Sequence, residues 1–313
     1  MNLNELPMIF FTVMAQMSVG AFLVLGVIQL FGSLRHDSKT IDRVADPALY
    51  AIGPTLVLGL IASMFHMNDV FHVLNVFRGW QSSWLSREII FGMGFAGLGF
   101  LFALMQWFKW GSARLRQVVA AVTALVGIGL LVVMSMIYYS LRTVPAWHSW
   151  FTPAQFIITA VLLGSLAVGT AFMLTTVFGR NKKKVDIDTT TDATDEATVN
   201  SLVASSLKGI AVTVIVAGSA LLVMMPIYLQ GLAQMGEIGA SSLEAYSGAL
   251  FVLRLALVAV GAGLLAIFIY GFAKPHANPT PLTICVAAAL ALVFVGELLG
   301  RMQFYEAMVR IGM

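Results

Sequence analysis

Residues 50–72 read YAIGPTLVLGLIASMFHMNDVFH. From Ala51 to Phe65 the run carries no charge, and then it ends on His66, with Asp69 and His72 close behind. A stretch this apolar, ending in ionisable groups, reads as a membrane-spanning helix whose polar end meets an interface. The rest of the sequence repeats the pattern. Of 313 residues, 59% are hydrophobic and 11% charged, and the mean hydropathy is +0.90. No soluble domain needs so much apolar sequence to fill its core.

Apolar runs bounded by charge, Pro or Gly predict an all-α integral membrane protein of eight transmembrane helices, near 8–31, 48–66, 88–108, 117–140, 154–178, 206–230, 247–272 and 280–302. Pro47, Pro153 and Pro281 stand near expected helix starts, where proline is tolerated, whereas Pro54 and Pro226 fall inside spans and should kink them. The one long polar stretch, GRNKKKVDIDTTTDATDEATVN at 179–200, reads as part of a flexible cytoplasmic linker over 179–205. It divides one membrane domain into helices 1–5 (residues 1–178) and helices 6–8 (residues 206–313). The first apolar run lacks a basic leader and a small-residue cleavage site, so it is expected to be a retained span.

Positive charge sets orientation. Arg35, Lys39, Arg43, Lys109, Arg114, Arg116, Arg180, Lys182, Lys183, Lys184, Lys208 and Lys274 fall on one side, and Arg78, Arg87, Arg142, Arg301 and Arg310 on the other. The richer side should be cytoplasmic, which puts both termini outside, in the periplasm of a Gram-negative cell. Basic residues placed between spans explain the sequence pI of 9.1 without nucleic-acid binding. A single cysteine, Cys285, excludes an intrachain disulfide and a cysteine-ligated cluster built from this protein alone.

Ionisable residues within or beside the spans gather toward the outer face: His66 ends the second span, Glu88 opens the third, Arg254 lies about two turns into the seventh, and Glu297 and Arg301 close the eighth. The inner halves carry neutral polar residues such as Gln29, Gln106, Thr213 and Tyr270. A carboxylate and an imidazole beside an apolar cavity are what quinol oxidation requires, because two protons must leave with the two electrons. His66 and Glu88 are the expected pair, with Trp80, Trp84, Arg87, Trp147, His148 and Trp150 around the entrance. The plainer alternatives are interfacial histidine and tryptophan, and a Glu88 that complements a helix dipole just after Ser86. Glu297 and Arg301 lie four apart on one helix face, so a structural ion pair joined by Arg254 is expected. No two of the five histidines meet at mid-membrane, so no haem is expected, nor any metal. A stand-alone secondary transporter is the competing reading, opposed by inner halves without ionisable groups.

The ordered segments IASMFHM, SSWLSREI, TVPAWHSWFTP, RLALVAVGAGLL and GELLGRMQFY resemble the membrane anchor subunit of bacterial dimethyl sulfoxide reductase, the DmsC family. The similarity covers nearly the whole sequence. It implies a non-catalytic, multi-pass anchor in the bacterial inner membrane, partnered by an iron–sulfur electron-transfer subunit and a molybdopterin catalytic subunit on the periplasmic side. It further implies oxidation of menaquinol, with the histidine ending the second span and the glutamate opening the third, His66 and Glu88, tied to quinol binding. The connection after His66 departs from the family pattern: NDVFHV stands where Gly, Pro and Arg are expected, at Asn68, Asp69 and His72.

Overall fold

A computed structural model describes residues 6–35, 40–46, 48, 49, 53, 79–185, 193–275 and 278–311, with side chains for all of these but 179–185 and 193–195. Among them every regular element is helical. The helices are α1 (Leu6–Ser33), α2 (Trp84–Trp107), α3 (Ala113–Tyr139), α4 (Phe151–Val185), α5 (Ala193–Ala233), α6 (Gly236–Glu244), α7 (Gly248–Val258), α8 (Leu265–Phe272) and α9 (Pro279–Glu306). A π-helical turn, Ala259–Leu264, joins α7 to α8. Seven helices among the described residues are long and apolar enough to cross a bilayer, α7, the π turn and α8 together making one of them. The expected second span, 48–66, lies outside the described residues except for Ala48, Leu49 and Gly53.

Helix ends follow local chemistry. Ser83 caps α2 by accepting from the Ser86 N–H at 3.3 Å, Ser112 caps α3 through the Leu115 N–H at 3.2 Å, and Asn278 caps α9 just before Pro279. The α2–α3 turn is tight. Lys109 there has φ 53 and Gly111 φ 72, both left-handed. Helix α5 begins well before the expected 206, and α4 runs on to Val185, so helix enters the polar stretch from both sides. Leu202, Val203, Ala204 and Leu207 explain the first extension, because all four are buried against the bundle.

Helix α4 is the hub, packed against α1, α3, α5 and α9. Lipid is as apolar as leucine, so helices associate in a membrane by close contact rather than by escape from water. The α1–α4 crossing shows this. A Cβ built on Gly20 would lie 1.8 Å from the Ala160 carbonyl oxygen, and one on Gly164 would lie 2.2 Å from the Gly20 carbonyl carbon. Only hydrogen fits at either position. The π turn also brings the seventh span close to α9, where a Cβ on Gly261 would meet the Val293 side chain at 2.7 Å.

The bundle has two distinct ends. At the near end, Thr12 of α1 meets Tyr305 of α9, and the Ile311 N–H donates to the Thr143 carbonyl at 2.9 Å. At the far end, Lys109 and Gln106 bind Asp42 and Asp46 in the helical segment 40–46. Residues 40–46 and the start of α2 therefore stand at opposite ends.

Candidate functional site at the near end

The charged side chains buried among the described residues are Arg254, Glu297 and Arg301, each 1% exposed, and all three lie toward the near end. Charges so deep in a bundle of membrane helices are costly unless they are bonded or used. Thr159 of α4 donates to Glu297 Oε2 at 2.5 Å. Arg301 donates from Nη2 to Gln16 Oε1 at 3.2 Å and lies over the Phe156 ring, 3.9 Å from its centroid. Arg254 donates from Nη1 to Gln303 Oε1 at 3.3 Å. Its guanidinium rests on the backbone of α9, where a Cβ on Gly300 would fall 2.5 Å from its Cζ.

The expected ion pair is replaced by this arrangement. Neither arginine hydrogen-bonds Glu297. Glu297 Oε1, Arg254 Nε and Nη2, Arg301 Nε and Nη1, and the amide nitrogens of Gln16 and Gln303 have no protein partner. Two guanidinium groups against one carboxylate leave the cluster one positive charge in excess, with its donors turned inward.

Next to it stands an aromatic plug. Tyr138 of α3 and Tyr305 of α9 share a hydrogen bond of 2.7 Å between their hydroxyls, and Tyr305 reaches Thr12 Oγ1 at 3.4 Å. Trp147 stacks on Phe304 at 14° with centroids 5.4 Å apart, and its Nε1 donates to the Phe304 carbonyl at 2.7 Å. Behind it, Tyr228 of α5 stacks on Phe151 at 4.3 Å and donates to the Ala146 carbonyl at 3.0 Å.

Glu88 lies one turn into α2 rather than at its first residues, because the cap is Ser83, not Ser86. A dipole role at the extreme terminus is thereby lost. Its side chain is half-buried, at the end of the bundle where Tyr138 and Tyr305 meet. Arg87 is engaged elsewhere, with Nε donating to the Trp80 carbonyl at 2.8 Å, Nη2 to the Gln81 carbonyl at 2.6 Å, and the guanidinium 4.2 Å from the Trp84 ring centroid. It therefore ties the 80–81 turn to α2. Trp80 and Trp150 are exposed and Trp84 is half-buried, whereas Trp147, expected at an entrance, is part of the core. His148 is exposed beside Tyr139, its Nδ1 2.5 Å from the Tyr139 carbonyl oxygen. His66, with Asn68, Asp69 and His72, lies outside the described residues.

Sequence reasoning missed Tyr138, Tyr305, Gln16, Gln303 and Thr159. Gln16 carried the plainest signal, an amide in the outer half of a mostly apolar first span whose other amide, Gln29, lies in the inner half. No group of three or more His, Cys, Asp or Glu suited to a metal occurs among the described residues.

A bundle of apolar helices with its buried charges at one end is an anchor with a polar pole, and comparison with known proteins names the kind. The family model of the DMSO reductase anchor subunit, DmsC, matches residues 1–307. The protein belongs to this family. It is 28% identical over 310 residues to the C chain of the anaerobic dimethyl sulfoxide reductase of Escherichia coli K12, an alignment covering 99% of this sequence and 97% of that one. The YnfH chain of anaerobic dimethyl sulfoxide reductase from the same organism is 25% identical over 313 residues, with 99% and 97% covered. The C subunit of the Allochromatium vinosum sulfite dehydrogenase is 30% identical over 172 residues, about half of each sequence. As a DmsC-family protein, the molecule is a transmembrane anchor subunit of a molybdoenzyme complex.

Proposed function

We propose that this anchor subunit oxidises menaquinol near the periplasmic face of the inner membrane and passes the electrons to a partner iron–sulfur subunit docked over residues 67–87 and 141–153. The molybdopterin catalytic subunit then lies beyond that partner on the same side. Eight spans with both termini outside complete the reading. Residues 40–46 and the start of α2 stand at opposite ends of the bundle, so an even number of crossings follows once the segment between them makes one. The far end carries Arg35, Arg43, Lys109, Arg114, Arg116, Lys208 and Lys274, which supports a cytoplasmic far end.

One observation carries the proposal: the start of α2, with Glu88, stands at the same end of the bundle as the buried Tyr138–Tyr305 hydroxyl pair and the Arg254, Glu297 and Arg301 cluster. Quinol oxidation releases two electrons and two protons, and a half-buried carboxylate at this end of the bundle is a suitable first acceptor. His66 is the partner assigned to the other quinol oxygen. Among the described residues no charged group is buried toward the far end, so the protons leave on the face where substrate reduction consumes them. Turnover is then electroneutral. The test is quinol-driven turnover of the complex in sealed vesicles with a potential-sensitive dye. No charging is expected, and steady charging across the membrane contradicts the proposal.

A further inference from the structure

Quinol oxidation by His66 and Glu88 leaves the near-end charges Arg254, Glu297 and Arg301 without a task. Their side chains bond to Gln16 on α1, Thr159 on α4 and Gln303 on α9. Each of these six residues is at most 3% exposed. All stand on α1, α4, α7 and α9, whose side chains are described throughout this end of the bundle. Buried polar groups are almost always bonded, so those that find no protein partner here call for a ligand or water.

The geometry of α9 gathers the charges. Positions 297, 300 and 301 share one helical turn, with 297 facing between the other two. Gly300 forms a notch that the Arg254 guanidinium fills: a Cβ there would lie 2.5 Å from Cζ and Nε and 2.7 Å from Nη2. Three near-equal distances mean that the planar group lies flat on the helix, so its N–H bonds run along the α9 surface. Nη1 donates to Gln303, and the opposite edge, formed by Nε and Nη2, is an unpartnered fork. Arg301, on the next residue, holds Nε and Nη1 unpartnered as well.

With the amides of Gln16 and Gln303, six nitrogens lack a partner, against two oxygens, Glu297 Oε1 and Gln155 Oε1. Two guanidinium groups face one carboxylate, and the hydrogen bonds of both arginines run to glutamines rather than to Glu88. Water accepts from such donors but brings two more of its own and leaves the excess charge in place. A small anion supplies acceptor and charge together. We propose that this cluster binds one monovalent anion of the chloride class, held by the Arg254 fork, Arg301 and the amides of Gln16 and Gln303. A divalent ion would reverse the imbalance, and enclosure by four helices excludes a ligand as large as a quinone ring. Bound there, the anion neutralises the buried pole and ties α7 to α1 and α9.

The test is equilibrium dialysis of the purified complex, prepared in gluconate, against radioactive chloride, with thermal unfolding followed in the same media. Gln303→Glu is the deciding variant, because it builds the missing negative charge into the cluster without changing the shape of the side chain. Wild type is expected to bind one chloride more per complex than Gln303→Glu, to release it to bromide, and to melt higher in chloride than in gluconate. Gln303→Glu should assemble, bind chloride at this site at least tenfold more weakly, and melt at the same temperature in both media. Arg254→Gln, which removes the excess charge, should also lose the chloride. Equal chloride binding by wild type and Gln303→Glu, wild-type melting that ignores chloride, or failure of Gln303→Glu to assemble overturns the proposal.

Discussion

The hydroxyls of Tyr138 and Tyr305 meet at 2.7 Å, joining α3 to α9 at the buried near end. This pair stands beside the buried charged cluster, at the end of the bundle where Glu88 is assigned to quinol. Tyr138→Phe and Tyr305→Phe each remove one partner of a buried hydrogen bond, at about 1 kcal/mol of stability. Both are expected to slow quinol-driven turnover while leaving turnover with an artificial reductant of the partner clusters unchanged. A double-mutant cycle on the quinol-driven rate should show strong coupling between them.

The tryptophans divide by burial. Trp147 is 6% exposed, stacked and hydrogen-bonded, whereas Trp80 and Trp150 are 53% and 51% exposed. Trp147→Ala is therefore expected to cost about 3 kcal/mol or more, seen as lost thermal stability of the detergent-solubilised complex. Trp80→Ala and Trp150→Ala should leave the melting temperature within a degree or two.

At the α1–α4 crossing, Gly164→Val forces backbone apart where a Cβ has 2.2 Å. Membrane insertion is expected to survive and assembly to fail, read by co-purification of the partner subunits. Gly97→Ala on α2, with nothing within 4 Å of its Cβ, should assemble normally.

Lys109 supplies a pH dependence. Burial opposes its charge, but hydrogen bonds and attraction from Asp46 and Asp42 prevail and hold its pKa above the ordinary 10.5. A raised folded-state pKa means that this contribution is complete below pH 10.5 and is lost as pH rises beyond it. Lys109 is half exposed, so solvent screening keeps the effect below about 1 kcal/mol. The small thermal advantage of wild type over Lys109→Met should hold up to about pH 10.5 and shrink as pH rises beyond it, a difference that differential scanning of the two proteins measures.

Much of this architecture is legible in the sequence because a membrane imposes a length and a polarity that composition reveals. The runs ending at Ser33, Trp107 and Tyr139 are examples. The depth of Arg254, Glu297 and Arg301 was equally plain. Their partners were not, because helical spacing suggests Glu297 with Arg301, whereas packing brings Arg301 to Gln16, 285 residues away. Trp147 misleads for the same reason: a tryptophan near a span end looks interfacial until Phe304 arrives beneath it. The start of α5 was hidden by the lysines, acids and threonines before it, though Leu202, Val203 and Leu207 already mark a helical face.

The most direct measurement is binding of a fluorescent quinol analogue to the assembled complex carrying Glu88→Gln or His66→Ala. Quinol binding by this pair predicts that each variant assembles with its partners and loses analogue binding by at least tenfold. Wild-type affinity in either assembled variant would contradict it.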